Sequence, residues 1–397
     1  MKILVLTWEF PPRIVGGIAR HVGELYPELV QLGCAVHLVT VQFGDLPDRA
    51  VVEGLHVHRV TVGQSPDFLH WVGRMNEVMG AYAGQLLQDE GPFDLIHAHD
   101  WLVGDCAIAL KHHFKLPLVA TIHATEYGRN RGIYTELHQH VHGQERLLAH
   151  EAWRVIVCTQ YMRRELQAAL AAPADKIDVI YNGIRSQKKL VQLDSLGARQ
   201  AFRRRFAADD TAIVYYVGRM TPEKGISRFV EAAPIVLAML NQPVRFVIVG
   251  GGNTLPFQHQ VQQMGLGPHF LFTGFLPDAE LDIFQTIADC AVFPSLYEPF
   301  GIVALESFAA RVPVVVSDAG GLPEVVQHGQ TGIVTRRDDP EAIAAGIVQV
   351  LNHPQQAAQM VENAYQDLAK RFCWDAIARQ TVTVYDRVLA ERQAIYW

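Results

Sequence analysis

The stretch AVFPSLYEPFGIVALE, residues 291–306, reads as an apolar strand, a turn shaped by Pro299 and Gly301, and the start of a helix. Backbone N–H groups at a helix start lack internal acceptors and lie at the positive end of the dipole, which suits phosphate oxygens. Glu298 falls in the turn. Glu306 follows two helical turns later among Val303, Leu305, Phe308 and Ala309, on the side expected to be buried. A buried, unpaired carboxylate is costly, so Glu306 is expected to meet a ligand; the alternative is a capping turn with Glu306 facing solvent. The same order recurs at residues 216–225, YVGRMTPEKG, where Gly218 opens a turn that brings Arg219 and Lys224 to a strand end. Two cations beside a helix start match a diphosphate leaving group, on which negative charge grows as its bond breaks. An exposed basic turn would look the same. Val249-Gly250-Gly251-Gly252 is a third glycine-rich strand end, without the spacing of a P-loop or a dinucleotide fingerprint.

Outward from these turns, short β-branched runs alternate with longer amphipathic stretches, the pattern of doubly wound α/β domains. Strands are expected at 2–7, 35–40, 55–60, 94–97, 118–123 and 154–158, then at 212–217, 245–249, 270–273, 291–294, 314–317 and 332–335. Helical patterns between them imply parallel sheets. A chain of 397 residues exceeds one ordinary core. The composition shift at 184–197 is the expected linker, between a domain at 1–183 and another at 198–375; the tail beyond is helical in pattern. Ligands bind outside the carboxyl ends of parallel strands, so two such domains facing an interdomain cleft could hold two reactants.

In the first half, Gly16-Gly17 follows a strand and opens a helix, again a phosphate-compatible turn. His99-Asp100 and His123 arrive at carboxyl strand ends of one sheet. His112-His113, His138, His140 and His142 read as surface residues, the last three because i, i+2 spacing does not share a helical face. No pair among the five cysteines has zinc spacing, and all five read as reduced, mostly buried residues of a cytoplasmic protein. A net charge of −7 argues against nucleic-acid binding. The basic runs Lys188-Lys189, Arg203-Arg204-Arg205 and Arg336-Arg337 read as solvated faces. Neither a signal peptide nor a membrane span is expected, which leaves peripheral membrane contact open.

Taken together, Gly16-Gly17, His99-Asp100-Trp101, Thr121-Ile122-His123, Asn182-Gly183-Ile184, Gly218–Gly225, Glu298–Glu306 and Gly320-Gly321-Leu322-Pro323-Glu324 resemble the retaining GT-B glycosyltransferases. That family includes glycogen and starch synthases and sucrose-phosphate synthases; the short glycogen synthases look most similar. The resemblance implies transfer of a glucosyl unit from UDP- or ADP-glucose, without metal or other cofactor, to a carbohydrate or sugar-phosphate acceptor. Arg219 and Lys224 would hold the diphosphate, with Gly16, Gly17, Gly218, Gly250, Phe300, Gly301 and the N–H groups of Ile302 and Val303 around the donor. Glu298 would lie beside the sugar and Glu306 on the ribose. His123 would contact the sugar, and Asp100 would face the acceptor. The tail helix, 376–397, would return to the first domain, with a hinge near 182–190.

Two positions depart from that pattern. Ile14 stands where glycogen synthases commonly carry Lys, with Arg13 one step earlier, and Arg185 replaces a frequent Asp. Arg13, Arg20, Arg129 and Arg131 could serve a phosphorylated acceptor, which keeps transfer to fructose 6-phosphate open beside a glucan or lipid. A sugar-nucleotide epimerase and a non-catalytic glycan- or nucleotide-binding protein are the other readings.

Overall fold

The computed structural model describes residues 1–185 and 195–395 and divides them between two compact units. Unit 1 holds residues up to Gly183 together with the C-terminal helix Trp374–Gln393; unit 2 runs from Ile184 to Cys373. Most of the expected linker, part of the expected hinge, the Lys188-Lys189 run and the last two residues lie outside the described residues. No helix among the described residues is long and apolar enough to cross a membrane.

Unit 1 is built on eight strands: β1 (Lys2–Leu6), β2 (Ala35–Val41), β3 (Arg49–Val52), β4 (Leu55–Val60), β5 (Leu95–His99), β6 (Leu118–Ile122), β7 (Arg154–Val157) and β8 (Ile177–Val179). Their spatial order is β3-β4-β2-β1-β5-β6-β7-β8. Every pairing is parallel except β3 with β4. The sequence pattern misses β3 and β8, so the expected all-parallel sheet is corrected to one with an antiparallel edge. A two-residue turn makes that hairpin: Glu53 (φ 48°) and Gly54 (φ 85°) both take positive φ, whose twist matches paired antiparallel strands. Three residues, Ile-Asp-Val, are too few for β8 to show alternation. The strand expected at 94–97 lies instead at 95–99, which makes His99 its last residue.

The terminal helix belongs to the core of unit 1. Trp374, Ile377, Val384, Tyr385 and Val388 pack with Leu25, Tyr26 and Leu29 of the Gly17–Gln31 helix and with Ile3 and Val5 of β1. Trp374 Nε1 donates to Glu24 Oε2 at 2.5 Å. A Cβ on Gly183 would lie 2.7 Å from the Trp374 ring, so glycine there lets the indole seat.

Unit 2 has six parallel strands: β9 (Ala212–Val217), β10 (Val244–Val249), β11 (Phe270–Gly274), β12 (Cys290–Phe293), β13 (Val314–Ser317) and β14 (Ile333–Thr335). The order β11-β10-β9-β12-β13-β14 is that of a dinucleotide-type Rossmann sheet. Strand order reverses between β9 and β12, so their carboxyl ends flank the switch point where such sheets bind ligands. β9 leads into Arg219 and Lys224, and β12 leads into Glu298 and the Ile302–Ala309 helix. Those are the two stretches singled out in the sequence.

Candidate functional site

At the switch point of unit 2, Lys224 Nζ lies 2.7 Å from Glu298 Oε2. Their side chains retain 19% and 12% of their exposure, so the pair is largely withdrawn from water. The turns that carry them are stitched together. Leu296 and Tyr297 donate their backbone N–H to the Glu223 carbonyl at 2.8 and 3.2 Å. A Cβ on Gly225 (φ 69°) would fall 2.0 Å from the Pro294 carbonyl oxygen, so only glycine allows this approach. From the other side, Gly321 donates to the Glu298 carbonyl at 2.8 Å.

Phe300 is buried and Gly301 takes φ 107° to start the Ile302–Ala309 helix. The first N–H groups of that helix, at Ile302 and Val303, have no intrahelical acceptor. Glu306 is half-buried, between the buried side the sequence suggests and full exposure. Arg219 is half-exposed and lies 3.6 Å from Glu223, while its backbone carbonyl accepts from the Tyr216 hydroxyl at 3.0 Å. Gly218 and Gly250 meet backbone to backbone: a Cβ on Gly250 (φ 140°) would sit 1.9 Å from the Gly218 oxygen.

In unit 1 the carboxyl ends of β1, β5 and β6 gather a different set. Glu9 is buried, and its Oε2 accepts the N–H groups of Val15 and Gly16 at 2.6 and 2.9 Å. Part of the turn ahead of Gly17, read as a phosphate seat, is thus filled by an internal carboxylate. Burial raises the Glu9 pKa, against those hydrogen bonds and Arg13. Arg13 itself stacks near the Trp8 and Trp71 rings, 5.4 and 5.8 Å from their centroids.

Asp100 takes φ 59° and accepts the His123 backbone N–H at 2.7 Å; burial pushes its carboxyl up to about 7. Arg129 is exposed and paired with Glu126 at 3.2 Å, and Arg131 is exposed with φ 55°. Glu145, not singled out in the sequence, is buried beside them: it accepts the Glu126 N–H at 2.8 Å and burial pushes it up to about 8.

Histidines supply the rest. His99 Nδ1 faces His123 Nε2 at 3.0 Å, and His99 Nε2 faces the Tyr26 hydroxyl at 2.6 Å. That hydroxyl also meets His97 Nδ1 at 3.0 Å, and His97 reaches Tyr385 and Thr121 at 2.6 and 2.8 Å. His21 packs against His99 and His123 and contacts Asn182 Oδ1 through Nδ1 at 2.8 Å. Burial holds His21 down at about 4 and His99 and His123 well below their ordinary value. His21, His99 and His123 thus offer ring nitrogens within 4.8 Å of one another, a gathering that the sequence pattern does not anticipate. Sequence spacing cannot show a cluster whose members are 78 and 24 residues apart (99 − 21 and 123 − 99). The surface reading holds for His112, His113 and His140, whereas His138 and His142 are half-buried because one face of their helix packs inward.

Tandem Rossmann-like units with these sheet orders define the GT-B class of glycosyltransferases. Residues 15–188 match the family Glycosyltransferase Family 4 and residues 198–367 match Glycosyl transferases group 1. An uncharacterized glycosyltransferase of Methanocaldococcus jannaschii is 38% identical over 387 residues, covering 97% of this chain and 98% of that one. A glycogen synthase of Mycobacterium tuberculosis is 35% identical over 405 residues, covering 97% and 94%. Among solved structures, a sucrose-phosphate synthase from Thermosynechococcus elongatus superposes with a TM-score of 0.83 at 25% identity, covering 98% and 99%. The chain belongs to this glycosyltransferase family and is a glycosyltransferase.

Proposed function

We propose that the chain is a retaining hexosyltransferase that moves a glucosyl unit from UDP- or ADP-glucose to an α-glucan acceptor. The observation that carries this reading is the Lys224–Glu298 pair, 2.7 Å apart at the switch point of unit 2, beside a helix start whose N-cap residue, Gly301, offers no side-chain cap. An ammonium pre-placed by a carboxylate, next to N–H groups aimed outward, is suited to a diphosphate and the sugar attached to it. Arg219 is the second cation. Glu306 is assigned to the ribose, His123 to the sugar and Asp100 to the acceptor side.

Retention follows from a front-face route. The bond from the sugar C1 to the diphosphate oxygen breaks, and the acceptor hydroxyl bonds to C1 on the same face. Its proton passes to the departing phosphate oxygen. Lys224, Arg219 and the helix start stabilise the charge on the diphosphate. Glu298 stabilises the positive sugar without a covalent intermediate. A glucan is preferred over a phosphorylated acceptor because two of the four candidate arginines are engaged: Arg13 with Trp8 and Trp71, and Arg129 with Glu126.

The test is transfer from UDP- and ADP-glucose to glycogen, fructose 6-phosphate and a glycerolipid, with product anomers read by NMR. An α-linked glucan is the expected product. A β-linked product would refute retention, a preference for fructose 6-phosphate would refute the glucan acceptor, and epimer formation without acceptor would refute transfer.

A further inference from the structure

A chain of polar groups runs through the core of unit 1 and ends at His123. Thr121 Oγ1 meets His97 Nε2 at 2.8 Å, and His97 Nδ1 meets the Tyr385 and Tyr26 hydroxyls at 2.6 and 3.0 Å. Tyr26 meets His99 Nε2 at 2.6 Å, and His99 Nδ1 meets His123 Nε2 at 3.0 Å. All members are buried except His123, which is half-buried. A neutral imidazole carries one N–H and one lone pair, so each link settles the next. The Thr121 hydroxyl sets the direction. His97 Nε2 is its one hydrogen-bond partner among the described residues, and a buried hydroxyl hydrogen without an acceptor is costly. Thr121 therefore donates, and His97 carries its proton on Nδ1, which donates to the tyrosine oxygens. Tyr385, hydrogen-bonded to Tyr26 as well, passes its hydrogen to the Tyr26 oxygen. The Tyr26 hydrogen cannot point back at a nitrogen that already bears one, so it goes to His99 Nε2; 2.6 Å is the short separation of an O–H donor. His99 then holds its proton on Nδ1 and donates to His123 Nε2. Ring centres 5.3 Å apart, with planes 25° apart, set those two nitrogens edge to edge.

We infer that Thr121 and Tyr26 are positioning residues, which through His97 and His99 hold His123 as its Nδ1–H tautomer, so that His123 meets the donor sugar as a hydrogen-bond donor to a hydroxyl oxygen. His123 Nδ1 lies on the far side of the ring from His99 and has no hydrogen-bond partner among the described residues. His21, the other ring packed on His123, supplies no competing proton. Its own proton is on Nδ1, against the Asn182 amide oxygen, which can only accept, and its Nε2 carries a lone pair. Burial holds His99 and His123 well below their ordinary value, so both rings stay neutral and the direction of the chain is kept. The opposite tautomer would present a lone pair at the same place, and a sugar hydroxyl would have to turn its own hydrogen inward to meet it. That the ligand is the sugar rests on the proposed function; the tautomer does not.

The experiment records long-range proton–nitrogen NMR spectra of the full chain labelled with ¹⁵N-histidine, in which the two neutral tautomers give different nitrogen shifts. His123→Gln assigns the His123 signals by their loss. The neutral Nδ1–H form is expected in the parent at neutral pH. Tyr26→Phe removes the hydrogen given to His99, and Thr121→Val removes the one given to His97. Each should move His123 toward Nε2–H and lower kcat/KM for UDP- or ADP-glucose roughly 3–10-fold, the worth of one neutral hydrogen bond. Thr121→Ser keeps the hydroxyl and should keep the parental tautomer. Circular dichroism reports whether each variant is folded. An Nε2–H or doubly protonated His123 in the parent would overturn the inference, as would an unchanged His123 tautomer in folded Tyr26→Phe and Thr121→Val. Should Tyr26→Phe fail to fold, the parental tautomer and the contrast between Thr121→Val and Thr121→Ser decide equally. A shifted tautomer with unchanged kcat/KM would overturn the sugar contact given to His123 while the proton wiring stands, so the two failures are told apart.

Discussion

Replacing Lys224 by Ala separates what the Lys224–Glu298 pair does for the fold from what it does for transfer. At the observed 2.7 Å the gross attraction is about 6 kcal/mol with an effective dielectric of about 20. Desolvation of the two ions cancels most of it, so the pair contributes little net stability. Removing one partner is different, because Glu298, with 12% of its side chain exposed, then stays withdrawn from water without its cation. Breaking a fully buried pair costs about 3–5 kcal/mol, and partial exposure brings the expectation to about 2–3 kcal/mol. For a unit of this size that lowers the melting temperature by roughly 4–12 °C. Turnover should fall roughly 10²–10³-fold, the effect of removing one preorganised charge from a leaving group. The double variant Lys224→Ala/Glu298→Gln leaves no orphan carboxylate, so most of the stability should return while turnover stays low. Calorimetric melts and initial rates with saturating nucleotide-sugar measure the two effects. Turnover near the parental value in Lys224→Ala, or recovery of turnover along with stability in the double variant, would refute the assignment.

Other substitutions test the neighbouring arguments. Gly225→Ala places a Cβ 2.0 Å from the Pro294 oxygen at positive φ, so unit 2 should lose more than about 2 kcal/mol in denaturant melts; a loss under ~1 kcal/mol would show that the two turns separate easily. Trp374→Ala empties the seat under Gly183 and should cost unit 1 about 3–5 kcal/mol by the same measurement. The folded-state pKa of Glu145, about 8, lies above its ordinary 4.5, so the folded chain keeps a proton that the unfolded chain releases between those values. Stability from this group is therefore full below pH 4.5 and falls as pH rises to about 8. Glu145→Gln, which keeps an acceptor for the Glu126 N–H, should flatten that part of a urea-midpoint profile; an unchanged profile would contradict the burial argument.

Much of this molecule is written locally. Strand, turn and helix start at 291–306 and 216–225 are legible because β-branched runs, Pro299, Gly301 and Gly225 act over a few residues. Those two stretches also contain Arg219, Lys224, Glu298 and Glu306. The edge hairpin at Glu53-Gly54 is marked by its turn and by β4, but the four residues of β3 are too few to show an alternating pattern. Tertiary structure decided the rest. Sheet order β9-β12 brings Lys224 to Glu298 across 74 residues, and glycines at 225 and 250 permit the backbone contacts around them. Glu9 folding back onto Val15 and Gly16, and the meeting of His21, His99 and His123, leave no periodic trace. Local pattern reports what a segment prefers to be. Which segments meet is set by burying both faces of a sheet, and the chemistry of this chain lies where they meet.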